Sequence, residues 1–262
     1  MFTKSFKIPF LWDVVLCIRG VALPKKNPMI SSGTSLLQIA EIDEQAVLYL
    51  QRFGIPMNET TRVEEINQRL GFQSGFVESL LNNYCLLAPA CPKNFSQNHL
   101  PDLLNYLKDS HHFYNEVAFP HINRSLENIL FTDDPAVPAA FICQSFIQHY
   151  AAKLSRHFQD EEKHLFPLAE KLIQNGIFLD GSETERYEII KNMQSQHDSL
   201  NADLQKIHEV MLHYRAHERH YSPLHAVLHY MAALQRDIQM HEFLEDEVLM
   251  GAIAGKLNIG MN

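Results

Sequence analysis

The feature that most constrains this chain is a histidine followed four residues later by a glutamate, which occurs twice in helix-forming sequence. His157 and Glu161 form the first pair, and His241 and Glu245 form the second. A spacing of four places both side chains of a pair on one face of an α-helix, one turn apart. Imidazole and carboxylate together suit iron, manganese or zinc. The two pairs therefore predict a metal site built on helices.

Both pairs interrupt apolar stripes that recur every three or four residues. The stripe of the first pair contains Phe146, Tyr150, Leu154, Leu165, Leu168 and Leu172. The stripe of the second contains Val227, Leu234, Ile238 and Val248. A third stripe, which includes His197, contains Ile190, Met193, Leu200, Leu204 and Met211. A buried carboxylate is costly without a partner, so the two glutamates beside buried histidines imply a cation between them.

Composition and periodicity predict an all-α protein. The chain has 262 residues, of which 46% are hydrophobic, and no stretch alternates apolar and polar residues for long. Four long helical patterns with short connections follow residue 100, and they favour an antiparallel up-down-up-down four-helix bundle over residues 100–255. The expected helices begin at or near Pro101, Ala139, Ser182 and Ser222, and end near Leu130, Gln174, His213 and Ala254.

Two further sections precede the predicted bundle. Residues 1–33 have no clear period and are expected to be a disordered leader. Residues 34–88 predict a small helical module, in which one helix covers LLQIAEIDEQAVLYLQRF after a cap at Ser35, and two more cover RVEEINQRL and FVESLLNNY. Gly71 is expected to end the second of these helices. A linker rich in proline and polar residues follows at 87–101.

Charge and cysteine usage exclude several classes of partner. The net charge is −9, which opposes a basic surface for nucleic acid or anionic lipid. No apolar run approaches the length of a membrane span, and Asp13 and Arg19 interrupt the leader where a signal peptide would be apolar. The four cysteines form no CxxC pair and are typical of free thiols. We therefore expect a cytoplasmic protein without nucleic-acid or membrane partners.

Four histidines recur at nearly constant separation. His112, His157, His197 and His241 are 45, 40 and 44 residues apart, about one helix plus one loop each time. In an antiparallel bundle they would fall at a similar depth. One layer of ligands, with every helix contributing, is how metal sites in bundles are built.

At these residues the chain resembles hemerythrin-like (HHE) di-iron proteins, and more specifically the iron–sulfur cluster repair (RIC) di-iron family. The similar segments are SHHFYNEVAFPHI, HFQDEEKHLFPL, QHDSL and HEFLEDEVL, with a weaker similarity of residues 35–84 to the family's N-terminal module. The resemblance implies two non-haem iron ions, with a possible oxo bridge. It implies two bridging glutamates, Glu161 and Glu245, and four histidine ligands: His112, His157, His197 and His241.

The residues leave two points of the implied site open. On the first helix, Leu104, Leu107 and Tyr114 favour His111 rather than His112 as the inward residue. The family also has a fifth histidine, which is absent from ILFTDDPAVP. Asp133, Asp134 or Glu116 could replace it, or the position could be open. The N-terminal module further lacks the family's Cys-Cys-Gly element, since IPMNETT stands in its place.

The resemblance implies repair of iron–sulfur clusters or a response to nitrosative and oxidative stress, with iron–sulfur proteins as partners. The alternative is a carrier or sensor that binds O₂ or NO without repair activity. A bundle that has lost its metal and serves only in interactions is a third hypothesis. A helix-turn-helix function for RVEEINQRLGFQSGF is disfavoured, because that segment is poor in arginine and the chain is acidic.

Overall fold

The computed structural model describes residues 29–85, 95–175, 182–217 and 223–257, and the regular elements in these ranges are helices. No strand occurs in these ranges, which confirms the all-α class; the only extended pairing there is an isolated bridge between Ser35 and Arg62. The chain divides into two units, Met1–Asp102 and Leu103–Asn262. Most of the predicted leader and most of the predicted linker lie outside the described residues.

The first unit is a set of short helices. They are α1 (Leu36–Ile42), α2 (Glu44–Leu50), a 3-10 turn (Gln51–Phe53), α3 (Val63–Leu70), α4 (Phe76–Cys85) and a second 3-10 turn (Gln97–His99). Ser35 caps α1 in a capping box with Gln38, as its position before the helix predicts. Gly71 ends α3 with a left-handed φ of 70°, a conformation that glycine adopts without strain.

The predicted helix after Ser35 is divided in two at Asp43. This residue is extended, with φ −157° and ψ 106°, and its side chain accepts a hydrogen bond from the backbone N–H of Gln45 at 3.0 Å. Aspartate competes in this way with the helical backbone for its own hydrogen bonds, so it favours starts of helices over their interiors. The expectation of one continuous helix was wrong for that reason.

Asn82 of α4 is buried and holds the first described residues against the unit. Its Oδ1 accepts a hydrogen bond from Ile30 N–H at 2.9 Å, and its Nδ2 donates to the Ile30 carbonyl at 2.8 Å.

We expect Asn82→Ala to lower the free energy of unfolding by about 1–3 kcal/mol, because both buried backbone groups of Ile30 lose their partner. Urea unfolding measures this change. A loss below about 0.5 kcal/mol, typical of surface substitutions, would contradict it.

The second unit is made mostly from four long helical runs. The first run (100–130) consists of α5 (Leu100–Phe113), a π-helical segment π1 (Tyr114–Ala118) and α6 (Phe119–Leu130). The second run (137–175) consists of α7 (Val137–Asp160), π2 (Glu161–Leu165) and α8 (Phe166–Asn175). The third run is α9 (Glu183–His217). The fourth run (223–257) consists of α10 (Pro223–Phe243), π3 (Leu244–Met250) and α11 (Gly251–Leu257).

The runs begin where the sequence signals predict. Ser182 and Glu185 form a reciprocal capping box, with Ser182 N–H donating to Glu185 Oε2 at 3.0 Å and Glu185 N–H donating to Ser182 Oγ at 3.1 Å. Among the described helices, none combines the length and the apolar character that a membrane crossing requires.

The apolar stripes of the runs face one another. Helix α6 contacts α7, α7 contacts α9, α9 contacts α10, and α10 contacts α6, so each run touches two others. The shared core includes Ile122, Leu126, Ile147, Tyr150, Leu154, Leu204, Leu228 and Ile238. The predicted metal-binding pairs therefore lie within a continuous buried interior rather than on a solvated face.

Candidate metal centre

Six buried side chains converge in the second unit and form two groups that are suited to hold metal ions. The first group is His111, Glu161, His241 and Glu245, and the second is His157, Glu161, His197 and Glu245. Within each group one donor atom from every residue lies within 4.8 Å of all the others. We call these groups position 1 and position 2. Since both contain Glu161 and Glu245, the two carboxylates stand between two adjacent positions.

Glu161 divides its two oxygens between the positions. Its Oε2 lies 3.1 Å from Nε2 of His111, whereas its Oε1 lies 2.7 Å from Nε2 of His157 and 3.3 Å from Nε2 of His197. A carboxylate arranged in this way can bridge two cations with one oxygen on each. Burial raises the pKa of Glu161, but the hydrogen bonds from the three imidazoles outweigh it and hold the pKa well below its usual range.

Glu245 is the less satisfied of the two carboxylates. It is fully buried, and neither oxygen accepts a hydrogen bond of good geometry from the described residues. Its Oε2 lies 3.4 Å from Nε2 of His197 and 3.7 Å from Nε2 of His241. Burial, together with the nearby charge of Glu161, raises the pKa of Glu245 well above its usual range. A cation beside Glu245 would remove this penalty, so the residues present fit a metal ion.

The histidines turn one ring nitrogen to the centre and anchor the other. Nε2 of His111, His157 and His197 faces Glu161, while the Nδ1 atoms of the same residues lie 2.9 Å from Glu162 Oε1, Gln196 Oε1 and Asp246 Oδ1 respectively. Gln196 donates in turn to Asp160 Oδ2 at 3.3 Å. Partners of this kind fix the tautomer and the orientation of metal-binding imidazoles.

The three π-helical segments all lie at this depth. Segment π1 begins three residues after His111, π2 begins at Glu161, and π3 contains Glu245. A π segment accommodates one extra residue per turn and occurs frequently at functional sites. Here the segments set the register at which the carboxylates and His111 enter the interior.

On the first run the structure brings His111, the alternative left open by the sequence, to the two groups in place of His112. His112 is exposed and belongs to neither group, whereas His111 is buried and belongs to position 1. His111 lies on the same buried stripe as Leu104, Leu107 and Tyr114. The periodicity of the run identified this face, and the alignment of motifs did not. The other five predicted residues, His157, Glu161, His197, His241 and Glu245, are brought together.

None of the residues considered as a replacement for a fifth histidine joins either group. Glu116 and Asp133 are exposed, and Asp134 is only partly buried. The first run ends at Leu130, roughly 28 Å along its axis from His111, so the loop beyond it is remote from the centre. Among the described residues, each position therefore has two imidazoles and two shared carboxylates.

Sequence reasoning missed the residues that surround the six. The acids that contact His111 and His197 directly follow Glu161 and Glu245 in the sequence, which was an available signal. Glu242 was also missed, although it is 3% exposed. Burial raises its pKa to about 7, while the charge of His197 and the amide of Asn201 act in the opposite direction. His99 is buried beside Ser74 and Phe76 of the first unit.

The metal-free protein is expected to lose stability as pH rises. The pKa values of Glu242 and Glu245 are raised, so both carboxyls bind protons more tightly in the folded state. Burial lowers the pKa of His197, but bonds from Asp246, Glu161 and Glu245 raise it well above 6.5. Stability from such groups is complete below their unfolded pKa values and is lost as pH rises through the folded ones. The melting temperature after chelation should therefore fall between about pH 5 and pH 8.

A melting temperature of the chelated protein that rises across this range would contradict the expected sign. The depressed pKa of Glu161 does not interfere, because its contribution changes only below its ordinary value of 4.5. Bound metal should reverse the trend, since metal ligands must be deprotonated and metal affinity therefore increases with pH.

Comparison with known proteins assigns the chain to no family. No family model matches the chain, and no curated protein is significantly similar to it. The conclusion that the structure carries is a buried pair of His/Glu groups suited to hold metal, and the resemblance to the RIC family stays a prediction.

Proposed function

We propose that the four runs form an antiparallel up-down-up-down bundle that holds two non-haem iron ions, and that this hemerythrin-like centre serves the repair of iron–sulfur clusters or the response to nitrosative and oxidative stress. One observation carries the proposal: two fully buried carboxylates are each shared between two groups that contain a pair of imidazoles. The contacts between α6, α7, α9 and α10 support the bundle.

The donor atoms favour iron or manganese over zinc, and the resemblance selects iron. Each position offers two nitrogens and two carboxylate oxygens, and no thiol belongs to either group among the described residues. Zinc in proteins is usually four-coordinate, whereas iron and manganese accept further ligands. Four protein donors per position leave room for a bridging oxygen species and for an external ligand. Bound iron would supply one-electron chemistry and affinity for O₂ and NO.

The chain's own residues bind, orient and seal the centre. Glu161 and Glu245 would balance part of the charge of two bound cations, and Glu162, Gln196 and Asp246 hold three imidazoles in place. Phe158 and Phe166 pack against His111 and exclude water from that side. Cys143 forms no disulfide among the described residues, which agrees with a reducing compartment, and we propose a cytoplasmic location.

Metal content and the visible spectrum of aerobically purified protein test the centre. We expect two irons per chain, with absorption bands of an oxo-bridged pair that disappear in His157→Ala. His149 is exposed and lies on the same helix as His157. The matched variant His149→Ala should therefore keep both irons. Manganese or zinc in place of iron, after growth with all three metals supplied, would overturn the assignment.

A second experiment separates repair from gas binding. An iron–sulfur enzyme damaged by NO is incubated with the loaded protein or with its chelated form. Faster recovery with the loaded protein, accompanied by loss of its iron, supports repair. Equal recovery, together with a stable adduct of O₂ or NO and full retention of iron, supports a carrier or sensor. The room for an external ligand at each position fits that function as well.

A further inference from the structure

The centre has an internal two-fold pattern that relates the second and fourth runs. The second run reads His157-Phe-Gln-Asp-Glu161-Glu162, and the fourth reads His241-Glu-Phe-Leu-Glu245-Asp246. In each run the histidine belongs to one position, the glutamate four residues later is shared, and the acid after it contacts a histidine of a neighbouring run. Position 1 and position 2 are thus built from equivalent parts.

The equivalence fails at the residue directly after each histidine. In the second run this residue is Phe158, whose ring stacks on His111 with centroids 3.9 Å apart and planes 14° apart. Phe166 covers the same imidazole at 5.2 Å. Position 1 therefore has an aromatic wall at this place. In the fourth run the corresponding residue is Glu242, a third buried carboxylate on the runs that carry the centre.

The helix geometry directs Glu242 toward position 2. Successive residues of an α-helix are rotated by about 100°, so Glu242 is turned by that angle from His241 within α10, whereas Glu245 lies about one turn further along, closer to the direction of His241. His241 serves position 1, so Glu242 is turned to the opposite side of the shared carboxylate. The surroundings agree with this placement, because the Glu242 carboxylate interacts with the charge of His197, a member of position 2.

Glu242 has little else to bind. It is 3% exposed, and neither of its oxygens accepts a hydrogen bond of good geometry among the described residues, with the Asn201 side chain as its polar neighbour. Its oxygens lie outside both groups in the present conformation, so ligation requires a change of side-chain rotamer. That change disrupts no strong hydrogen bond, and a cation would relieve the cost of the buried carboxylate.

We propose that Glu242 is a third carboxylate ligand of the centre and binds the metal ion at position 2, while Phe158 leaves the equivalent place at position 1 without a protein ligand. The inference rests on the proposed metal centre and makes its two halves unequal. Position 2 has five protein donors and one carboxylate more than position 1, so it retains its ion more tightly. Position 1 has four donors, which leaves one more coordination place for an external ligand there than at position 2.

The test compares Glu242→Gln with Glu247→Gln, since Glu247 is exposed on the same run and its substitution removes the same charge. Both variants and the unaltered chain are made metal-free and titrated anaerobically with Co²⁺ in competition with a chromophoric chelator. We expect two cobalt ions per chain in all three proteins. In Glu242→Gln the tighter of the two sites weakens by about tenfold or more, and its visible spectrum changes. Glu247→Gln should match the unaltered chain.

Two tight sites with unchanged spectra in Glu242→Gln would overturn the inference while leaving the metal centre intact. Failure of the unaltered chain to bind cobalt would instead overturn the proposed function. Glu242→Asp covers the case in which the glutamine variant does not fold, because it keeps the charge but shortens the reach. A weakened site in Glu242→Asp supports ligation, whereas full affinity shows that only charge is needed and overturns it.

Discussion

Glu161→Gln should abolish tight binding at both metal positions. Glu161 is the only described side chain within 3.3 Å of Nε2 of three of the four histidines, and it presents a different oxygen to each position. Glutamine keeps the shape but loses the negative charge and one of the two acceptor oxygens. We expect both affinities to fall by more than about 100-fold, which exceeds the loss usual for an orienting partner.

The measurement is metal per chain after loading and gel filtration, with circular dichroism to verify the helical content. Glu127→Gln is the matched control, since Glu127 is exposed on the first run. Retention of two metals by Glu161→Gln would show that the carboxylate does not bridge, and the two positions would then have to be independent sites. Both measurements are repeated on chelated Glu161→Gln and chelated unaltered protein. Equal helical content of the two chelated proteins shows that the variant loses metal without losing its fold.

His111→Ala and His112→Ala should differ sharply although the residues are neighbours. His111 is buried with Nε2 3.2 Å from Nε2 of His241, so its removal takes one of two imidazoles from position 1. We expect the metal content of His111→Ala to fall from two to about one per chain, with the remaining ion at position 2. His112 is exposed, and His112→Ala should retain both metals.

Calorimetric titration with Fe²⁺ under anaerobic conditions resolves the two stoichiometries. The opposite result, a loss of metal in His112→Ala alone, would show that the first run enters the interior one residue out of register. Aligning motifs with the family placed His112 at the site, so this pair of variants decides directly between resemblance and periodicity.

Sequence periodicity identified most of the buried centre because burial in a helix repeats every three or four residues. His157, His197, His241 and both shared glutamates lie on apolar stripes, and all five are buried together. The starts of the helices could also be predicted from the sequence, since the capping box at Ser182 is a local hydrogen-bond pattern with a recognisable sequence.

Other features of the centre depend on backbone hydrogen bonding and on packing between helices, which a local sequence pattern does not record. A π-helical segment exchanges one set of backbone hydrogen bonds for another and has no residue signature, so π1, π2 and π3 were not predicted. Glu242 is adjacent to His241 and was not recognised as buried, because the apolar stripe does not include it. Its burial follows from packing against the third run, which only the assembled helices reveal.

Two of the buried histidines each contact, through Nδ1, one acidic residue whose side chain is partly exposed to solvent. The side chains of Glu162 and Asp246 are 53% and 31% exposed, yet they touch the Nδ1 atoms of His111 and His197. The electron-donating strength of a buried imidazole is therefore adjustable from a position that solvent reaches and that binds no metal. In the proposed metal centre, substitutions, ionic strength or a docked partner at these two acids would shift the reduction potentials of the two positions separately, without altering a single ligand.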